Sequence, residues 1–161
     1  MNRSKLNWLR AGVLGANDGI ISVSVVLISV IGILDFHKLL LVGISAIIAG
    51  ALSMSIGEYV SVSAQKDAEE AWKQKELTNP VHAALSSFLS FLVGAVIPFG
   101  AALLFSNSIA IIIAVILTLV LTTSISMGVS KVRSWKPFLR NIVSGALALG
   151  IGIVINTLFA V

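Results

Sequence analysis

The chain has no cysteine, and this absence removes several classes of function at once. Without cysteine there are no disulfide bonds, no thiolate metal sites and no thiol nucleophiles. Charge is scarce as well, because only 11% of the 161 residues are Asp, Glu, Lys or Arg, whereas a soluble domain usually has about 25%. The deficit runs along the whole chain, so the sequence does not indicate a soluble domain attached to a single membrane anchor.

Long apolar runs take the place of the missing charge. The mean hydropathy is +1.03, and each of five runs is long enough to cross a hydrocarbon core of about 30 Å. The predicted helices span 11–34, 39–63, 83–105, 108–130 and 138–161, and a short cytosolic linker at 66–80 continues the second helix as far as Pro80. Strands are not favoured, because the runs do not alternate. The sequence therefore predicts an all-α integral membrane protein, with residues 1–161 forming a single transmembrane domain.

The basic residues indicate a topology rather than a nucleic-acid partner. The formal net charge is +4, but Lys and Arg lie in short clusters between apolar runs, as orientation signals do. With the N-terminus inside, every Lys and Arg except Lys38 falls on the inner side of the membrane. The sequence thus predicts an N-in, C-out protein that does not bind nucleic acid. It shows no nucleophile–histidine–acid set and no phosphate-binding loop, so it gives no support to an enzyme.

Two acidic residues, Asp18 and Glu58, fall inside the first two predicted spans, where a charged side chain costs a few kcal/mol. Counted along each helix at about 1.5 Å per residue, both lie in the inner half of the membrane, and Met54 lies on the same face as Glu58. Carboxylate oxygens with a thioether favour a divalent transition metal, and buried carboxyl groups can exchange a proton for it. The alternative is that the acids only join helices by hydrogen bonds while Met54 fills a gap.

Small residues surround these acids in both helices. Gly15, Asn17 and Gly19 lie within the first helix, and Gly50 and Gly57 lie within the second. Glycines at such positions either loosen a helix, as in many transporters, or allow a neighbouring helix to come close. In the packing interpretation, Asn17 makes a hydrogen bond between helices.

Glu69 and Glu70 follow the second span and are a candidate cytosolic entry site for metal. They alternate with Lys66 and Lys73, so the alternative is a solvated helical surface with ion pairs between residues four apart.

Two long stretches, 9–22 (LRAGVLGANDGIIS) and 49–63 (AGALSMSIGEYVSVS), resemble the signature helices of the vacuolar iron transporter family. The resemblance implies five transmembrane helices and a homodimer with the cation path near its two-fold axis. It also implies export of Fe²⁺, sometimes Mn²⁺, from the cytosol in exchange for protons, without a prosthetic group. Asp18, Met54 and Glu58 match the family's metal path. The implied partners are a second copy of the chain, the lipid bilayer and the metal ions.

The chain departs from this family in one respect. Members that sequester iron have a long acidic helical domain between the second and third spans, and only 66–80 occupies that place here. The loading of metal, the preference for iron and the coupling to protons therefore stay open. A membrane scaffold without transport and a passive cation channel are the alternatives. The compact chain favours a prokaryotic plasma membrane, with a vacuolar membrane as the other location.

Overall fold

The computed structural model describes residues 3–74, 78–131 and 134–159, with side chains from Lys5 onward. It contains five α-helices: α1 (Arg3–Val30), α2 (Phe36–Ala71), α3 (Pro80–Phe105), α4 (Ser108–Ser130) and α5 (Lys136–Phe159). All five are long and apolar enough to cross a membrane. The prediction of an all-α protein with five such helices is confirmed. The predicted end of the last helix, at 161, and part of the linker, at 75–77, lie outside the described residues.

Helix α1 starts and ends earlier than the predicted range of 11–34. It begins at Arg3, because the polar residues before the apolar run are helical although they add little hydropathy. It ends at Val30, and Gly32 follows with a φ of 79°, a conformation that glycine adopts without the steric cost other residues meet. The turn to α2 therefore uses residues that the hydropathy pattern had assigned to the membrane span.

Helices α2, α3 and α4 each begin with an N-cap, in which a side-chain oxygen accepts a hydrogen bond from a backbone amide of the first turn. The capping residues are Asp35, Asn79 and Asn107. The pKa of Asp35 is held below its usual value, because Lys38 donates a hydrogen bond to its carboxylate from the ammonium group and another from the backbone amide. These caps fix where each helix begins.

Helix α2 is 36 residues long, which corresponds to about 54 Å at the usual rise per residue. It passes the predicted end at 63 but stops at Ala71, well before the predicted stop near Thr78. Lys73 adopts a left-handed conformation with a φ of 52°, and the side chain of Glu69 accepts a hydrogen bond from the Thr78 backbone amide at 2.8 Å. The chain thus folds back onto the end of α2 instead of continuing as a helix.

Helix α1 is the centre of the bundle. In the described part of the chain it contacts each of the other helices, whereas α2 contacts only α1 and α3, and α5 contacts only α1 and α4. Ile20, Val23 and Leu27 of α1 are buried in the main apolar cluster, together with Phe91 of α3 and Val115 of α4. A large part of the α2 surface therefore faces away from the bundle.

Helices α1 and α3 approach each other at their backbones. A Cβ atom added at any of three glycines would overlap a carbonyl oxygen of the facing helix; the pairs are Gly15 with Ser87, Gly19 with Phe91, and Gly94 with Ala16. Such contacts through small residues are typical of helix packing in membranes. Helix α1 runs without a break through this stretch, so Gly15 and Gly19 serve close packing there.

Candidate cation site between the first two helices

Asp18, Met54 and Glu58 line one cavity of about 360 Å³ between α1 and α2. They come from two helices and meet because α1 and α2 pack against each other and against α3. Met54 also packs against the main apolar cluster, so it fills space in the core while its side chain borders the cavity. The structure brings the three predicted residues together, and their binding of a metal stays a prediction.

The Asp18 side chain is half-buried, and its carboxylate accepts no hydrogen bond from the described residues. Ser22, one turn further along α1, does not supply one, because its hydroxyl donates to the Asp18 backbone carbonyl at 2.6 Å. The Asp18 carboxylate therefore borders the cavity with its oxygens available to a ligand.

Asn17, beside Asp18, has a buried amide oxygen with no hydrogen-bond donor among the described residues. The described part of this chain thus does not supply the helix-to-helix hydrogen bond that the packing interpretation gave to Asn17. A buried amide oxygen without a donor carries a desolvation cost of about 1–3 kcal/mol.

Glu58 is only 5% exposed and forms an ion pair with Arg10, whose Nη2 lies 2.5 Å from Glu58 Oε1. Arg10 is anchored on its own helix as well, because its Nε and Nη2 both donate to Asn7 Oδ1, at 3.3 and 3.2 Å. Glu58 is therefore compensated by a fixed positive charge from α1. Sequence reasoning took Glu58 as a metal ligand and did not include Arg10.

The helical spacing could have revealed Arg10. It stands eight residues before Asp18 in the sequence, so the two lie on roughly the same face of α1 and both point toward α2. The hydropathy pattern does not indicate Arg10 as a site residue, because it assigns this arginine to the polar end of the helix as an orientation signal.

A second cavity, of about 390 Å³, lies at the N-terminal end of α1 and the C-terminal end of α2. Arg10 and Asn7 line it from α1, and Gln65 and Glu69 line it from α2, with Thr78 beyond. Arg10 thus borders this second cavity and contacts Glu58, which borders the α1–α2 cavity. The ion pair stands between the two spaces.

The candidate entry residues Glu69 and Glu70 occupy different environments. Glu69 is buried and accepts hydrogen bonds from Gln65 Nε2 at 2.9 Å and from the Thr78 amide and hydroxyl at 2.8 and 3.1 Å. Glu70 is exposed and pairs with Lys66 at 3.5 Å. Glu69 therefore holds the segment after α2 in place, and Glu70 belongs to a solvated ion pair. Their role in metal entry stays a prediction.

A larger cavity, of about 470 Å³, lies between α1, α3 and α4, and its lining is mostly apolar. The hydroxyls of Ser90, Thr118 and Thr122 lie along it and donate to backbone carbonyls of their own helices. These groups have no need of a polar ligand, so this cavity is not a candidate cation path.

The α1–α2 cavity offers two carboxylates, one thioether and the hydroxyls of Ser22 and Ser53 as side-chain donors. Within residues 3–74, 78–131 and 134–159, no group of three or more His, Asp or Glu residues could hold a metal ion. A binding site for a divalent cation therefore needs further oxygens, from water, from backbone carbonyls or from a second chain.

Five apolar spans, with two acids lining a cavity between the first two, define an integral membrane protein with a polar site between its helices. Comparison with known proteins then identifies the family. The VIT family matches residues 9–78 and 72–157, and the chain belongs to this family.

Curated relatives agree with this assignment. Vacuolar iron transporter homolog 2.1 of Arabidopsis thaliana is 34% identical over 175 aligned positions, which cover 91% of this chain and 79% of the relative. Vacuolar iron transporter homolog 5 of Oryza sativa subsp. japonica is 39% identical over 126 positions, which cover 70% of this chain and only 61% of the relative. No solved structure matches the chain.

Proposed function

We propose that this protein exports a divalent transition metal from the cytosol through the α1–α2 cavity, in exchange for protons. Fe²⁺ is the first candidate and Mn²⁺ the second. The observation that carries the proposal is that Asp18, Met54 and Glu58 meet on one cavity within two apolar spans. Acids at such positions are costly, and ion or proton pathways are their usual reason. The relatives are vacuolar iron transporter homologs by name, which supports the choice of iron.

The proposed exporter is a homodimer. Helix α2 contacts only α1 and α3 within the described chain, and the wall of the cavity near Ser53 and Gly57 is exposed. No atom lies within 4 Å of a Cβ placed on Gly57, apart from its immediate neighbours and its own helix backbone. A second copy related by a two-fold axis would cover this wall and bring four carboxylates around one path.

The proposed orientation places the N-terminus in the cytosol and the C-terminus outside. It is supported by the position of Lys38 at the opposite end of α2 from Lys66 and by the excess of basic residues on the proposed inner side. Trp8 and Trp72, at that same side, are exposed as interfacial anchors are. We propose the plasma membrane of a prokaryote as the location.

Transport of Mn²⁺ and Fe²⁺ into proteoliposomes tests the proposal. Vesicles with an acidic interior should take up metal faster than vesicles without a pH gradient, and metal entry should be accompanied by proton release. Asp18→Asn and Glu58→Gln keep the shape of each side chain and remove its charge, so each should lower uptake at least about tenfold, the effect of losing about 1.4 kcal/mol of binding to the ion.

Asp35→Asn is the matched control, because Asp35 is an exposed acid in the turn before α2 and lies outside the cavity. It should transport like the parent protein. Equal transport by Asp18→Asn, Glu58→Gln and the parent would overturn the site. Metal uptake without proton movement would identify a passive channel, and the absence of uptake by a folded parent protein would favour a scaffold.

A further inference from the structure

The Arg10–Glu58 ion pair lies between two cavities, a position that an ion pair with only a structural role does not require. Glu58 borders the α1–α2 cavity, and Arg10 borders the second cavity, which the proposed orientation places on the inner side and which we call the inner cavity. The pair therefore lies between the inner cavity and the cavity that Asp18 borders. The two partners also differ in exposure, with 51% of the Arg10 side chain and 5% of the Glu58 side chain accessible.

The other contacts of Arg10 allow its guanidinium group to dissociate from Glu58. Two of its nitrogens donate to Asn7 Oδ1 on the same helix, so the guanidinium keeps a partner when the carboxylate is taken by another cation. Its exposed part faces the inner cavity, where water can replace the lost contact. Glu58 has no such freedom, because a buried carboxylate without a counter-ion is strongly destabilising.

We propose that Arg10 is the resident counter-ion of Glu58 and that a transported cation reaches this carboxylate only by displacing the guanidinium. The inference rests on the proposed function, since it assigns Arg10 a role at the same cavity. A divalent ion interacts with a carboxylate about twice as strongly as a single charge at equal distance, so it can displace Arg10. A hydrated Na⁺ or K⁺ has the same charge as the guanidinium and lacks its fixed geometry. Arg10 is therefore a specificity residue that favours divalent over monovalent cations.

Binding of Mn²⁺ to the purified protein in detergent tests this role by calorimetry. The measurement is made at mildly alkaline pH, so that a proton does not take the place of the guanidinium. Arg10→Gln removes the competing charge, and we expect its Kd for Mn²⁺ to fall about tenfold, between the effects usual for exposed and for buried pairs. Arg10→Lys keeps the charge and should bind like the parent.

The effect of Na⁺ on Mn²⁺ binding separates the proposed role of Arg10 from a purely structural role, which would leave this effect unchanged. Excess Na⁺ should weaken Mn²⁺ binding to Arg10→Gln severalfold more than it weakens binding to the parent. Lys66→Gln is the matched control, because Lys66 is another basic residue at the inner end, with an exposed partner outside the cavity. It should leave both the Kd and the Na⁺ effect unchanged.

A second variant covers the case in which Arg10→Gln does not fold. Asn7→Ala leaves both residues of the ion pair in place and removes the partner that the guanidinium keeps after displacement, so displacement should cost more and the Kd for Mn²⁺ should rise about threefold. Weaker or unchanged Mn²⁺ binding by Arg10→Gln, or tighter or unchanged binding by Asn7→Ala, while the parent binds, would overturn the role of Arg10. Failure of the proposed function is a different result, in which neither the parent nor any variant binds Mn²⁺.

Discussion

The backbone contact between α1 and α3 predicts that a single methyl group at Gly19 will separate the two helices. A Cβ atom there would overlap the carbonyl oxygen of Phe91, and both sides of the contact are helical backbone that cannot move aside alone. The helices have to part by about 1 Å before the contact reaches van der Waals distance. Such overpacking costs about 1–3 kcal/mol, while alanine in place of glycine returns up to about 1 kcal/mol of helix propensity. We therefore expect Gly19→Ala to lose about 1–2 kcal/mol of stability.

The matched control is Gly128→Ala in α4, where no neighbouring atom lies within 4 Å of the added methyl group. Its stability should be unchanged or higher by up to about 1 kcal/mol. Denaturant-induced unfolding in detergent measures both variants. Because Asp18 precedes Gly19 in the chain, Gly19→Ala should also reduce metal transport. Equal unfolding midpoints for the two variants would refute the close contact between the helices.

Two further predictions concern the core and the end of α2. Phe91→Ala empties a fully buried position between α1, α2 and α3 and should lower the stability measured by unfolding in detergent by about 3–5 kcal/mol. Leu85→Ala, at an exposed position of α3, should cost far less. Similar losses for the two variants would contradict the packing. Glu69→Ala removes the acceptor of the Thr78 amide and should speed tryptic cleavage after α2, whereas Glu70→Ala should not; equal cleavage rates would show that Glu69 does not hold this segment.

The number and type of the helices could be predicted from the sequence, because each span is a continuous apolar run and hydropathy records such runs directly. The helix ends could not, since they depend on side chains that hydropathy does not weigh. Gly32 ends the first span early through its backbone conformation, and Asp35 starts the next helix through a single hydrogen bond.

The candidate site could also be predicted only in part from the sequence. Asp18, Met54 and Glu58 could be grouped by depth and helix face, and they do line one cavity. The partner of Glu58 could not be found in this way, because an arginine at the end of a span has an obvious alternative role as an orientation signal. Gly57 shows another limit, since packing was one of the two roles predicted for it, and no atom of the described chain outside its own helix lies within 4 Å of a Cβ placed there.

The contrast between the two contacts of α3 has a consequence for motion. Its contact with α1 is backbone against backbone, so these two helices form a single rigid body that cannot slide without steric overlap. Its contact with α2 includes aromatic rings, with Phe91 against Gly50 and Phe99 against Gly43, and a hydrogen bond from the Ser55 hydroxyl to the Ala84 carbonyl at 3.2 Å. Rings can turn about their side-chain torsions and one hydrogen bond can be exchanged, so we expect a change in the width of the α1–α2 cavity to come from movement of α2 against a frame formed by α1 and α3.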